Sequence, residues 1–351
     1  MHHYDENADE TEIMQFESQK SSTYAVEDEN QQISCAEYLR QYDITQLAQM
    51  MAHSAEEFVR HVWLRGWQVV HHHSLPAWLR DNDFILHYHR PQLNTFRACF
   101  NSIFRIHTET GNIWTHLLGC GSFFIIAIFS LIQSEALIQW QEKLVFSAFF
   151  FGAVVCLGFS CLFHTLSCHS KNIGRLFNRL DYAGIAFLNI GSFIPYLYYS
   201  FYCMLWAKMF YIILIVVLGT ASIIVSMHPS FTTPRYRPLR AGVFMGLGLS
   251  GVIPCMHTVI LDGFHNSIFQ GSLGWLVLMA ILYLSGATIY AFQSHQIFHV
   301  FVVAAALVHY HGLVKLANYR LTVGDCKPIG LKFYPDELKL LGLNIFSKTV
   351  L

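Results

Sequence analysis

The chain has 351 residues, of which 54% are hydrophobic and only 13% are charged. Soluble domains carry roughly 25% charged residues, so this composition excludes an ordinary soluble protein. The net charge of −1 provides no overall field for nucleic acid or other polyanions.

The N-terminal part of the chain is polar. Residues 1–50 are acidic, rich in Gln and Ser and poor in long apolar runs, which predicts a disordered cytoplasmic tail. Residues 51–110 are expected to form a juxtamembrane region on the same side of the membrane. Within it, Ala55–Trp67 has amphipathic helical spacing, and Ser102–Thr110 is typical of an interfacial helix.

Seven apolar stretches follow, each near the roughly 20 residues that a helix needs to cross a bilayer. They cover residues 114–133, 144–166, 182–203, 209–227, 241–261, 273–291 and 294–316. The sequence therefore predicts an all-α fold, an integral membrane bundle of seven transmembrane helices within residues 111–316. Residues 317–351 form the predicted C-terminal tail.

Basic residues predict the orientation of the bundle. Arginines precede the first span, and basic clusters lie between the second and third spans and between the fourth and fifth. The intervening loops hold little more than Lys143 and Lys208. The positive-inside rule places the N-terminus in the cytoplasm, so seven crossings make the C-terminal tail extracellular. We expect the bundle in the plasma membrane.

Four ionisable groups share one predicted depth in the bundle. His164 ends the second span, Asp181 begins the third, and His295 and His299 open the seventh. The four-residue spacing of the last pair puts both imidazoles on one helix face. Ionisable groups inside a membrane are costly and usually functional. Three imidazoles and a carboxylate together predict a metal site, and this donor set favours Zn²⁺.

Neighbouring polar groups have competing interpretations. Ser160 lies one turn before His164, and its hydroxyl either holds a metal-bound water or a substrate carbonyl, or is simply small enough for close helix packing. His116, early in the first span, either belongs to a second site or makes an interhelical hydrogen bond, which we prefer. Residues 71–73 are consecutive histidines in a connector, and consecutive residues cannot share a helix face.

Small residues in the spans are interpreted as packing residues. The glycines of residues 242–251 fit close helix contacts. The nine cysteines lack the spacing of a disulfide scaffold. Those inside the spans are interpreted as small hydrophobic residues: Cys120, Cys156, Cys161, Cys203 and Cys255.

Seven segments between about residues 52 and 316 carry a family resemblance. They are AEEFVRHVW (55–63), LRDNDFILHYHRP (79–91), FRACFNSIFRIHTETGNIWTHLLG (96–119), FSCLFHTLSCHS (159–170), LDYAGIAFL (180–188), RAGVFMGLGLSGVIP (240–254) and SHQIFHVFVVAAA (294–306). These segments resemble the adiponectin receptors of the progestin and adipoQ receptor family, which are related to haemolysin III.

The resemblance implies a zinc ion held by His164, His295 and His299 near the cytoplasmic side. It also implies that Asp181 reaches the zinc through water and that Ser160 lies beside it, both as catalytic residues. The implied activities are receptor signalling that regulates lipid metabolism and zinc-dependent hydrolysis of ceramide, a lipid amide. The implied partners are membrane lipids, an extracellular adiponectin-like protein and a cytoplasmic signalling protein bound through the N-terminal region.

A non-catalytic function remains open. The same ligands suit a receptor or membrane-homeostasis sensor in which zinc is structural and the N-terminal region recruits cytoplasmic partners.

The connection between the sixth and seventh spans departs from the family pattern. The family has a longer cytoplasmic loop with a Pro-Gly turn, whereas here residues 283–293 run directly into Ser294. We therefore expect a shortened or partly unwound sixth helix and a His295/His299 pair displaced from His164.

Overall fold

The structure is a computed structural model that describes residues 44–64, 68–80, 82–132, 139–232, 234–291, 294–323 and Cys326. Within these residues the fold is all-α, as predicted, and the sole β feature is an isolated antiparallel bridge between Val70 and His89. The chain divides into two units, Met1–Leu64 and Arg65–Leu351.

The described part of the first unit is one helix, α1 (Ile44–Leu64). The sequence of α1 contains neither Gly nor Pro, so nothing in it interrupts a helix. The predicted helix at Ala55 therefore begins earlier, at Ile44, and includes residues 44–50 of the predicted tail, whose boundary stays a prediction. Residues 1–43 of that predicted tail lie outside the described residues.

The second unit contains a short juxtamembrane segment followed by long helices. The helices are α2 (Phe96–Asn101), α3 (Thr110–Ile132), α4 (Trp140–Leu166), α5 (Lys171–Ser200), α6 (Leu205–Met227), α7 (Arg237–Leu249), α8 (Val252–Asp262), α9 (Phe264–Phe269), α10 (Leu273–Ala291) and α11 (His295–Val323). α11 continues to Val323, beyond residue 316, where the predicted membrane domain ends, and that boundary stays a prediction.

Six helical stretches of the described chain are long and apolar enough to cross a membrane. They are Thr110–Ile132, Trp140–Leu166, Leu205–Met227, Pro238–Asp262, Leu273–Tyr290 and His295–Thr322. The predicted third span lies in α5, a 30-residue helix whose first half is basic and whose second half contains Asn189 and several tyrosines. Because of these polar groups, α5 is less apolar than the six stretches above. The count of seven crossings therefore stays a prediction.

The centre of the bundle is formed by α4, which packs against α3 and α5, while α11 packs against α3, α5 and α10. Aromatic and aliphatic side chains fill the space between these helices, and Phe149, Leu157 and Tyr199 are fully buried. Two glycines permit the close approach of α4 and α5. A Cβ on Gly152 would lie 2.5 Å from the carbonyl oxygen of Phe187, and one on Gly184 would lie 2.9 Å from the Cα of Cys156.

The short connection between α10 and α11 does not unwind the sixth predicted span. α10 is helical from Leu273 to Ala291, and α11 begins at His295. Gly286 explains how two helices with so short a link pack together, since a Cβ there would lie 2.8 Å from the Phe301 side chain. The expected unwinding is therefore wrong. Residues 292 and 293 of the turn lie outside the described residues.

The packing interpretation of the glycines in residues 242–251 holds at Gly251, where a Cβ would meet the Phe193 ring at 2.5 Å. It is wrong at Gly242 and Gly246, where a Cβ would meet no atom within 4 Å. Cys203 forms a disulfide with Cys326, so its interpretation as a small hydrophobic residue is wrong. The bond joins the segments that follow α5 and α11, and its partners are 123 residues apart in sequence.

Two glycine substitutions in α4 test the close approach of α4 and α5. We expect Gly152→Ala to lower the stability of the detergent-solubilised protein by about 1–3 kcal/mol, because the new methyl group must displace backbone atoms of α5. Gly158→Ala in the same helix is the control. Its Cβ would lie 3.7 Å from the Cys120 Sγ, an ordinary contact, so stability should hold or rise. Equal melting temperatures for the two variants would contradict this packing.

Candidate metal centre

Three imidazoles converge between α4 and α11. His164 lies in the last turn of α4, while His295 and His299 lie one turn apart at the start of α11. One ligand nitrogen from each ring lies within 4.8 Å of the other two. The ring centroids are 4.7–5.0 Å apart, and His164 and His299 are each only 2% exposed. The expected displacement of the α11 pair from His164 is therefore wrong.

The end of α4 is held by the buried side chain of Arg90. Its guanidinium donates to the carbonyl oxygen of Thr165 at 3.0 Å and also to that of His164. The last carbonyl groups of a helix have no partner within the helix, so a buried end needs such donors. A further bond of 2.8 Å to Ser102 Oγ anchors the guanidinium. Arg90 thus fixes the turn of α4 that carries His164.

A carboxylate that sequence reasoning missed orients His164. Glu109 Oε2 accepts hydrogen bonds of 2.7 Å from His164 Nδ1 and 2.7 Å from Asn112 Nδ2. Because a carboxylate only accepts, this bond assigns the proton of a neutral His164 to Nδ1 and leaves the lone pair on Nε2. Nε2 is buried without a hydrogen-bond partner among the described residues. A metal-ligating histidine is usually held by a carboxylate in this way.

The surroundings of Glu109 keep it in place and ionised. Burial alone raises the pKa of Glu109, but the hydrogen bond from His164 and the charge of Arg90 bring it well below its usual range. His107 accepts a hydrogen bond of 3.1 Å from the Glu109 backbone N–H and contacts the Ser102 carbonyl at 3.0 Å. Burial, and next the charge of Arg90, lower the pKa of His107 to about 3, so this ring is neutral at physiological pH.

His116 contacts the candidate metal centre through its ring face. It stacks on His299 with the centroids 3.8 Å apart and the planes 20° from parallel. It is not one of the three convergent ligands. The interhelical hydrogen bond expected for His116 is wrong, because both of its ring nitrogens are buried without a hydrogen-bond partner among the described residues, and the ring stacks on a ligand instead. A sequence signal existed, because Glu109, Asn112 and His116 have the spacing of one helix face.

Ser160 and Asp181 lie close together between α4 and α5. Ser160 lies one turn before His164 and is 3% exposed. Asp181 lies near His164, but it is not part of the convergent group. The structure therefore brings the three histidines together and places the Ser160/Asp181 pair beside them.

The long apolar helices and the buried histidines define the class: a multi-pass, all-α integral membrane protein whose bundle contains a candidate metal centre. A family model described as haemolysin-III related matches residues 104–310. The chain belongs to this family, which confirms the predicted resemblance to progestin and adipoQ receptors.

Curated relatives support the same family. The chain is 54% identical over 299 residues to the adiponectin receptor protein of Drosophila melanogaster, covering 81% of this chain and 67% of that protein. It is 52% identical over 270 residues to progestin and adipoQ receptor-like protein 1 of Caenorhabditis elegans, covering 73% of this chain and 62% of that protein. Heptahelical transmembrane protein 3 of Arabidopsis thaliana is 34% identical over 67% of this chain and 83% of that protein.

Substitutions at Glu109 test whether this residue orients His164 for zinc binding or only stabilises the fold. We expect Glu109→Leu to weaken the binding of added Zn²⁺ by about 10–100-fold, because His164 loses the acceptor that fixes its tautomer. Glu109→Gln keeps an oxygen acceptor and should recover much of the affinity. Chelator competition on the purified protein measures both effects.

The control is Glu142→Leu, which removes a buried carboxylate from the N-terminal capping box of α4, at the other end of the helix. This variant should lose stability and keep its zinc affinity. Unchanged zinc affinity in Glu109→Leu would show that Glu109 does not orient a ligand.

Proposed function

We propose that this chain is a receptor-like membrane protein whose histidine centre holds Zn²⁺ and hydrolyses a lipid amide of the ceramide type. The observation that carries the proposal is the convergence of His164, His295 and His299, with the Nε2 lone pair of His164 left available by the Glu109 contact. Support for ceramide as the substrate comes from the family resemblance of the sequence.

Three histidine ligands suit a catalytic zinc site rather than a structural one. Three protein ligands leave the fourth position of a tetrahedral zinc ion open, whereas structural sites use four. When bound, zinc lowers the pKa of a coordinated water and polarises a carbonyl group. The imidazoles come from both α4 and α11, so the ion would also fasten these two helices together.

Asp181 and Ser160 supply the groups for proton movement. Asp181 lies beside Ser160 and near His164. In our proposal the Asp181 carboxylate takes a proton from the attacking water and returns it to the amine of the leaving group. The Ser160 hydroxyl orients that carboxylate and keeps it facing the histidines.

We further propose that the end of the bundle with the histidines faces the cytoplasm of a cell whose plasma membrane contains the protein. α4 ends there, and α5 and α11 begin there, so the segments after α5 and α11 lie at the opposite end. The Cys203–Cys326 disulfide joins those segments, whereas Cys99 and Cys168 remain thiols with sulfurs 3.8 Å apart near the histidine end. Disulfides persist in oxidising compartments, which supports an extracellular site for the disulfide end.

This orientation assigns a side of the membrane to each partner. An adiponectin-like protein ligand would meet the disulfide end, and a cytoplasmic signalling protein would meet the N-terminal region. The membrane itself supplies the ceramide-like substrate and takes up the product fatty acid.

The orientation is tested with epitope tags on intact cells. A C-terminal tag should bind antibody without permeabilisation, and an N-terminal tag should bind only after it. In the same cells, Cys203 should resist alkylation until a reductant is added, and Cys326→Ser should expose it at once. Labelling of the N-terminal tag on intact cells would reverse the proposed orientation.

Asp181→Ala tests the catalytic proposal in the purified full-length protein. We expect this variant to keep its helices and its zinc but to lose ceramide hydrolysis by at least about 100-fold, the scale of general acid–base catalysis. Release of fatty acid is measured by mass spectrometry and zinc content by elemental analysis. His295→Ala with His299→Ala should lose both zinc and activity, and His265→Ala, an exposed residue in α9, is the control.

Two results would contradict the proposal. Stoichiometric zinc without ceramide hydrolysis in the unmodified protein would favour the non-catalytic receptor with structural zinc. Loss of zinc in Asp181→Ala with intact helices would make Asp181 a ligand rather than a proton carrier.

A further inference from the structure

A second group of histidines lies in the juxtamembrane segment before α2. Val70 and His89 exchange backbone hydrogen bonds of 2.8 and 3.1 Å, and the His72 N–H donates to the Leu86 carbonyl at 2.9 Å. This pairing brings the consecutive histidines at 71–73 beside His87 and His89. The sequence interpretation considered only a helix face for residues 71–73 and therefore overlooked this pairing across two extended segments.

The five imidazoles form a continuous row, which we call the histidine row. Successive centroid separations are 4.7 Å for His87–His71, 5.0 Å for His71–His73, 5.7 Å for His73–His72 and 5.5 Å for His72–His89. The rings of the candidate metal centre are 4.7–5.0 Å apart. The outer rings of the row have the spacing of the candidate metal centre, whereas His72 and His89 lie farther apart, at 5.5 Å.

At the inner end of the row, His72 and His89 are buried and present ring nitrogens that could bind an ion. His72 and His89 are 4% and 9% exposed. His72 Nε2 is buried without a hydrogen-bond partner among the described residues, and Asp83 Oδ1 lies 3.6 Å from it. His89 Nε2 contacts the Ile85 carbonyl at 2.7 Å. Since a carbonyl only accepts, His89 carries its proton on Nε2 and keeps the Nδ1 lone pair free for an ion.

We propose that His72, His89 and Asp83 form a second metal site, which binds a divalent transition-metal ion such as Zn²⁺ through two imidazoles and a carboxylate. Zinc takes nitrogen and carboxylate ligands of this kind, with water in the remaining position. The three groups are less tightly convergent than the candidate metal centre, and side-chain rotation must close them on the ion. Asp83 has the freedom to do so, because its side chain is 93% exposed.

The proposed site ends one residue before Arg90, the residue that holds the end of α4.

Zinc counting on the purified full-length protein tests the proposal. After removal of metal, titration with Zn²⁺ against a fluorescent chelator should reveal two sites per chain. Asp83→Asn should weaken the second site by about 10-fold or more, and His72→Gln with Asp83→Asn should remove it. The matched control is the triple variant His71→Ala, His73→Ala, His87→Ala, which removes the outer imidazoles of the row and should bind both ions within about twofold of the unmodified protein.

The outcomes are distinct from those that test the candidate metal centre. His295→Ala with His299→Ala should abolish the other zinc and leave this one, so either site can fail alone. A single zinc per chain in the unmodified protein would overturn the proposal and make His72 and Asp83 an ion pair. Loss of the second zinc only in the triple variant would place the ion on the outer histidines, which also overturns the assignment. Because Asp83 is exposed, Asp83→Asn remains decisive if His72→Gln fails to fold.

Discussion

One guanidinium holds the end of the helix on which the candidate metal centre depends. The carbonyl groups in the last turn of α4 need donors, because a buried carbonyl without one costs about 1–3 kcal/mol. Arg90 satisfies two of them and is itself fixed by Ser102. The juxtamembrane segment therefore stabilises the bundle, because it positions the turn of α4 from which His164 projects.

Electrostatics around this turn favour a cation. Three convergent imidazoles would repel one another if protonated, and an apolar bundle disfavours their charged forms. An ionised Glu109 behind His164 offsets positive charge at the histidines without occupying a ligand position. The Ser160/Asp181 pair adds a second carboxylate on the α5 side. A divalent ion held by the three histidines would offset the negative charges of Glu109 and Asp181.

The sequence predicted features that depend on local pattern. Apolar runs of bilayer length predicted six helical stretches that the structure shows to be long and apolar enough to cross a membrane, and the four-residue spacing predicted the His295/His299 pair. Asn189 and the tyrosines make α5 less apolar than these six stretches. Contacts between distant residues were not predictable in the same way. The Glu109–His164 bond joins residues 55 positions apart, and its geometry exists only after α3 and α4 pack.

The disulfide turns part of the bundle into a covalent ring. Cys203 follows α5 and Cys326 follows α11, so every helix from α6 to α11 lies within one closed loop of chain. A peptide bond broken anywhere between these helices would leave the two pieces attached. The same bond ties α5, which carries Asp181, to α11, which carries His295 and His299, at the ends away from those side chains. The bond therefore limits how far those two ends can separate, and with them how far the carboxylate and the imidazoles at the other end can move apart.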